Sequence, residues 1–146
     1  MHLVARAKAV LLLPAVLLAS APLYAAQDGA RAPMIGLEGP DADACAAIGR
    51  LTGLPASDGF IDLKDTSLPV YAGPSSDTEE TERMTQGTLV WLCDVEGSWQ
   101  GIVYPSTDKQ EIGDCRVSSP VAEPESYSGP CAYGWVPARN ITMVAG

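Results

Sequence analysis

Thr88-Leu89-Val90-Trp91-Leu92-Cys93 is the stretch whose reading decides the fold, with Trp99-Gln100-Gly101-Ile102-Val103-Tyr104 close behind it. β-branched and aromatic side chains dominate both runs, and such residues suit a pleated, half-buried surface. Asp94 to Gly97 supplies the turn, so the two runs read as a hairpin. Working outward, Phe60 to Leu63 alternates apolar and polar residues, and Leu68-Pro69-Val70-Tyr71-Ala72 forms another short run that ends at Gly73-Pro74-Ser75-Ser76. Asp77 to Arg83 reads as an exposed acidic loop. Tyr133 to Pro137 and Ile141 to Val144 are further strands, with a tight turn at Ala138-Arg139-Asn140 between them. Short strands separated by turn signals predict an all-β domain over residues 60–146, built as a small barrel.

Between these strands, residues 105–132 are rich in Pro, Ser, Gly, Asp and Glu and are too long for an ordinary hairpin loop. They read as an insertion, with a brief strand beginning at Val117. Upstream, residues 27–59 form an N-terminal extension. Within it, Asp41 or Asp43 followed by alanines predicts a short helix over residues 42–51, ended by Gly53. Residues 1–26 follow the export pattern: Arg6 and Lys8, an apolar run from Ala9 to Ala19, then small residues up to Ala25 and Ala26. The apolar run is too short for a stable membrane anchor, so cleavage after Ala25 or Ala26 and a periplasmic or secreted location are expected.

Past that signal, seven basic residues face eighteen acidic ones, a net charge of −11. Such a surface repels nucleic acid and anionic headgroups. The single histidine is His2, inside the signal, so Ser-His-Asp and Cys-His catalysis and most zinc hydrolase chemistry are unavailable to the mature chain. No Cys-x-x-Cys pair occurs, and neither a metal nor a cofactor is expected. Glu79-Glu80 lies in a polar stretch with nothing to raise a carboxyl pKa for acid catalysis, and no enzymatic activity is expected. Cys45, Cys93, Cys115 and Cys131, an even number in an exported chain, read as two disulfides. Four cysteines allow three connectivities.

Leu68-Pro-Val-Tyr-Ala-Gly-Pro-Ser75 resembles the opening strand and turn of bacterial SH3-like domains. Gly87-Thr88-Leu89-Val90, Gly97-Ser98-Trp99 and Gly134-Trp135-Val136 resemble three further motifs of those domains, in the same order. The mature chain is also similar to small exported SH3-domain proteins of Gram-negative bacteria, through Cys93-Asp94, Gly101 to Tyr104 and Gly129-Pro130-Cys131. Tyr71 stands where Arg is common in these domains. The resemblance implies an SH3-like barrel of five or six strands, here with a long insertion and a short N-terminal helix, and no catalysis.

In that frame Val90 and Leu92 point into the barrel, and Leu89, Trp91 and Cys93 point outward. Two readings of the outward face follow. The N-terminal helix covers it with Cys45 bonded to Cys93, which leaves Cys115 and Cys131 to tie the insertion at its base; or Trp91 is an exposed partner face. Aromatics near strand ends line a peptide groove in SH3-like folds, which makes Trp99, Trp135, Tyr71, Tyr104 and Tyr127 the candidate ligand-binding residues. Each has barrel packing as its alternative, although Tyr127, in the insertion, is expected to lie outside the core. The expected ligand is a cell-wall peptide or an envelope protein. The competing expectation is a small acidic inhibitor or immunity-type protein that binds one partner.

Overall fold

The computed structural model describes residues 29–53 and 67–146. The export signal at 1–26 and the strand expected at Phe60 to Leu63 lie outside the described residues. No described helix is long and apolar enough to cross a membrane.

The described chain is all-β. Its strands are β1 (Met34–Ile35), β2 (Ala47–Leu51), β3 (Ser67–Tyr71), β4 (Glu80–Thr85), β5 (Leu89–Glu96), β6 (Trp99–Tyr104), β7 (Glu125–Ser126), β8 (Ala132–Pro137) and β9 (Ile141–Ala145), with 3₁₀ turns at Ile112–Cys115 and Ala138–Asn140. Seven strands form one sheet in the order β4-β3-β8-β6-β5-β2-β9, and β1 pairs with β7 in a separate ribbon. All of these pairings are antiparallel. Met84 of β4 and Ile141 of β9, on the two end strands, pack into the same cluster as Val70, Val90, Ile102 and Val136, so the sheet curls around one core. Among the described residues no ladder joins β4 to β9, and the sheet is not a closed barrel.

A second core lies on the outer face of the same sheet. Trp91 and Val103 pack there against Ile35, Cys45, Val117 and Tyr127. Period-two alternation explains the division, since Val90 and Leu92 face the inner core while Trp91 faces the outer one. The outer layer is held by two disulfides. Cys45–Cys93 fixes the N-terminal extension to β5, and Cys115–Cys131 closes the long insertion.

The helix expected over residues 42–51 is corrected: residues 47–51 are strand β2, inserted between β5 and β9. An isolated ten-residue helix is marginal in water, whereas this strand gains ladder hydrogen bonds on both sides. The small residues that suggested helix serve close packing. A Cβ at Gly49 would lie 2.9 Å from methyl groups of both Ile141 and Leu92. Just upstream, the amides of Ala44 and Cys45 donate to the carbonyls of Ser119 and Val117, which draws that segment onto the insertion. Val117 itself accepts the Cys45 amide and does not belong to a strand.

The loop expected over Asp77 to Arg83 is corrected in its second half. Glu80–Thr85 is an edge strand in which only Met84 is buried. Its charges suit a position at the end of a sheet, where they discourage pairing with another chain.

Candidate functional site

The six aromatic residues singled out in the sequence separate into two groups. Tyr71, at the end of β3, and Trp99, at the start of β6, meet edge to face with ring centroids 5.4 Å apart and planes at 86°. Both are half-buried. Both line a groove of about 370 Å³. Leu68, Pro69, Val136 and Pro137 form its apolar surface, and Ser76, Ser98, Arg139 and Asn140 supply polar groups. None of the described lining residues is Asp or Glu.

The floor of the groove is rigid. The Ala138 amide donates to the Ser98 carbonyl at 2.8 Å, and the Thr52 amide donates to the Asn140 carbonyl at 2.9 Å. The Asn140 side-chain amide returns a hydrogen bond to the Thr52 carbonyl at 3.1 Å. These bonds fasten the 3₁₀ turn to the hairpin on one side and to the end of β2 on the other.

The other aromatics lie elsewhere, and for these the groove assignment is corrected. Trp135 is fully buried on the opposite face of β8. Its Nε1–H donates to the Arg31 carbonyl at 2.9 Å, and the Arg31 guanidinium covers its ring at 4.4 Å. Tyr104 is buried in the inner core, with its hydroxyl donating to Glu82 at 3.1 Å. Burial and the adjacent Glu82 carboxylate both hold its pKa well above the usual phenol range. Tyr127, expected outside the core, is 4 % exposed. Its hydroxyl donates to the Cys115 carbonyl and accepts from the Cys131 amide, each at 3.0 Å, so it braces both ends of the second disulfide. Trp91 is not an exposed partner face. It is 8 % exposed, and its Nε1–H donates to the Ile112 carbonyl at 2.7 Å. The insertion and the N-terminal segment cover it, where a helix was expected.

Two features were not read from the sequence. The first is Arg139, which sits one turn beyond the Gly134-Trp135-Val136 motif and lines the groove. The second is a clamp on the outer face. Arg31 donates from Nη1 to Asp94 at 2.9 Å and from Nη2 to Glu96, and the Met34 amide also donates to Asp94 at 2.9 Å. Burial works against the charge on Arg31, but the hydrogen bonds to Asp94 and Glu96 prevail and its pKa is raised. Asp94 reaches this position through a bulge: the β5–β6 register shifts between Leu92 and Asp94, which leaves Cys93 as the extra residue. A bulge re-aims the side chains that follow it.

Among the described residues no cluster of three or more potential metal ligands occurs. No family model matches the chain, and neither a curated protein nor a solved structure is significantly similar to it. The two disulfides indicate an oxidising, extracytoplasmic environment.

Proposed function

We propose that this chain is an exported, non-catalytic, SH3-like binding module of the bacterial envelope, and that the Tyr71–Trp99 groove takes an extended cell-wall peptide. Residues 1–26 act in this proposal as the export signal that brings the domain to the periplasm or beyond. The groove is the observation that carries the reading. It joins two half-exposed aromatic rings, two prolines and a few polar groups on a rigid floor, and ligand sites commonly combine an apolar lining with sparse, fixed polar groups. Rings set at right angles form a notch whose apolar surfaces can receive a side chain or proline ring of such a peptide.

The test is co-sedimentation of the oxidised mature protein with purified peptidoglycan at low and moderate salt. Saturable binding that survives moderate salt and weakens at least about tenfold in Trp99→Ala, as a lost hot-spot aromatic should, supports the proposal. Equal pelleting of both forms, or none, refutes it.

A protein-directed inhibitor is the second reading, favoured by a different surface. Leu37, Val95 and Met143 are exposed around one shallow depression beside Cys93. Apolar residues gathered on a strongly acidic protein suit a basic partner. Its signature would be a salt-sensitive complex with one basic envelope protein, disrupted by Met143→Glu and unaffected by Trp99→Ala.

A further inference from the structure

Arg139 stands out within the groove for its isolation. The chain carries eighteen acidic residues against nine basic ones, yet among the described residues the groove is lined by one cation and no anion. The other described arginines of the sheet and of the N-terminal segment 29–35 are engaged: Arg31 with Asp94 and Glu96, Arg83 with Glu80, and Arg50 with the Gly87 carbonyl. The Arg139 guanidinium has no hydrogen bond or ion pair among the described residues. Its backbone is nevertheless fixed, because both neighbours in the 3₁₀ turn, Ala138 and Asn140, are hydrogen-bonded to other elements. A guanidinium presents a planar fork of donors that matches a carboxylate in a bidentate way. Here that fork borders an aromatic notch, with no hydrogen-bond acceptor for its donors among the described residues.

We infer that Arg139 is the specificity-determining residue of the groove, and that the ligand is a peptide bearing a free carboxylate next to an apolar side chain. The carboxylate pairs with Arg139 while the apolar group enters the Tyr71–Trp99 notch. This inference rests on the peptide-groove proposal and adds the chemical class of the ligand. The surrounding negative charge of the protein disfavours acidic peptides elsewhere on its surface, so a cation with no anion beside it among the described groove residues discriminates by place as well as by charge.

The experiment is a nuclear magnetic resonance titration of the oxidised protein with a synthetic stem tetrapeptide, L-Ala-γ-D-Glu-meso-diaminopimelate-D-Ala, and with the same peptide fully amidated. The Trp99 indole N–H and the Arg139 Nε–H are the reporters. The acid form should move both signals and bind about tenfold more tightly than the amide, the effect of one charge-assisted contact at a partly exposed site. Arg139→Gln should remove that difference by weakening the acid form alone, and Arg139→Lys should restore part of it. Equal affinity for the two peptides, with Trp99 still perturbed, overturns the carboxylate inference and leaves the groove proposal standing. Equal weakening of both peptides by Arg139→Gln also overturns it, because the residue would then be supporting the groove rather than reading charge. Failure of either peptide to perturb Trp99 overturns both proposals.

Discussion

Arg31 sits over Trp135, with its guanidinium carbon 4.4 Å from the ring centre, while the indole N–H of Trp135 donates to the backbone carbonyl of that same arginine. The two residues are 104 positions apart and fasten the N-terminal segment 29–35, a strap on the sheet, to the middle of that sheet. Asp94, buried beneath them, accepts from both the Arg31 guanidinium and the Met34 amide. Arg31→Ala leaves that carboxylate with one partner fewer and uncovers the Trp135 ring. A broken buried pair alone would be expensive, but the partial exposure of Arg31 reduces the effect, and the expected loss is about 2 kcal/mol. Urea unfolding followed by tryptophan fluorescence measures it. Arg31→Lys keeps the charge without the planar fork and should fall between the two. A loss no larger than that of an exposed control such as Arg50→Ala would show that the clamp is dispensable.

The strap also depends on Gly73. A Cβ there would collide with the carbonyl oxygen of Gly29, a backbone atom with no rotamer to escape into. Gly73→Ala should therefore displace the strap while leaving the inner core in place. Faster amide exchange at Arg31 and Met34, with unchanged protection at Val90 and Ile102, is the expected pattern. Uniform loss of protection would mean that strap and core unfold as one unit.

The two disulfides differ in reach: Cys45–Cys93 spans 48 positions and Cys115–Cys131 spans 16. Chain-entropy arguments assign about 4 kcal/mol to the longer link and about 3 kcal/mol to the shorter. Serine pairs at each site, unfolded in urea, should show that order. The shorter link has a second brace in the Tyr127 hydroxyl, which enlarges the gap between the two variants. The reverse order would make the insertion, rather than the N-terminal extension, the more dependent on its bond.

Trp91 is the point where the insertion grips the sheet. Trp91→Phe removes the donor to the Ile112 carbonyl and leaves space in the outer core. A cost of about 2 kcal/mol is expected, with faster exchange at residues 112–117 as the local signature.

Tyr104 makes stability depend on pH at the alkaline end. Its folded-state pKa is raised, by burial first and by the Glu82 carboxylate second, from an ordinary value of 10.0. The folded chain thus holds a proton that the unfolded chain releases near pH 10. The contribution is fully present below that pH and declines as pH rises above it. Tyr127 is raised as well, chiefly by burial. Urea unfolding at several pH values on both sides of 10 should show stability falling on the alkaline side, and Tyr104→Phe should make that fall shallower. An unchanged slope would assign the effect to Tyr127.

The central hairpin was legible because β5 and β6 are dense in branched and aromatic residues and their ladder closes at Glu96 opposite Trp99, across a two-residue turn. Strand β2 was not legible, because Ala47 and Gly49 are small for reasons of packing between two neighbouring strands, and small residues also favour helix. Strict alternation placed Trp91 on the outer face but could not foresee that the bulge at Cys93 would turn Asp94 toward Arg31. Tyr127 was misread because its surroundings are polar in sequence, while its burial comes from the disulfide and the segment 33–45, which approach only in three dimensions. Of the candidate groove residues, Tyr71 and Trp99 were visible through the Pro-Val-Tyr and Gly-Ser-Trp motifs. Arg139 carried no signal beyond its nearness to the last motif, since its proposed role rests on a position in the groove that the turn at Ala138–Asn140 creates only in three dimensions.

The order of the cysteines along the chain has a consequence for biogenesis. Cys45 pairs with Cys93, the next cysteine, and Cys115 pairs with Cys131, the next after that. A polypeptide that reaches an oxidant amino end first therefore presents its thiols in the order in which they belong together. The correct bond is the only one available until the third thiol emerges. Pairing in order of emergence gives the native connectivity, so the order of the thiols itself demands no reshuffling step.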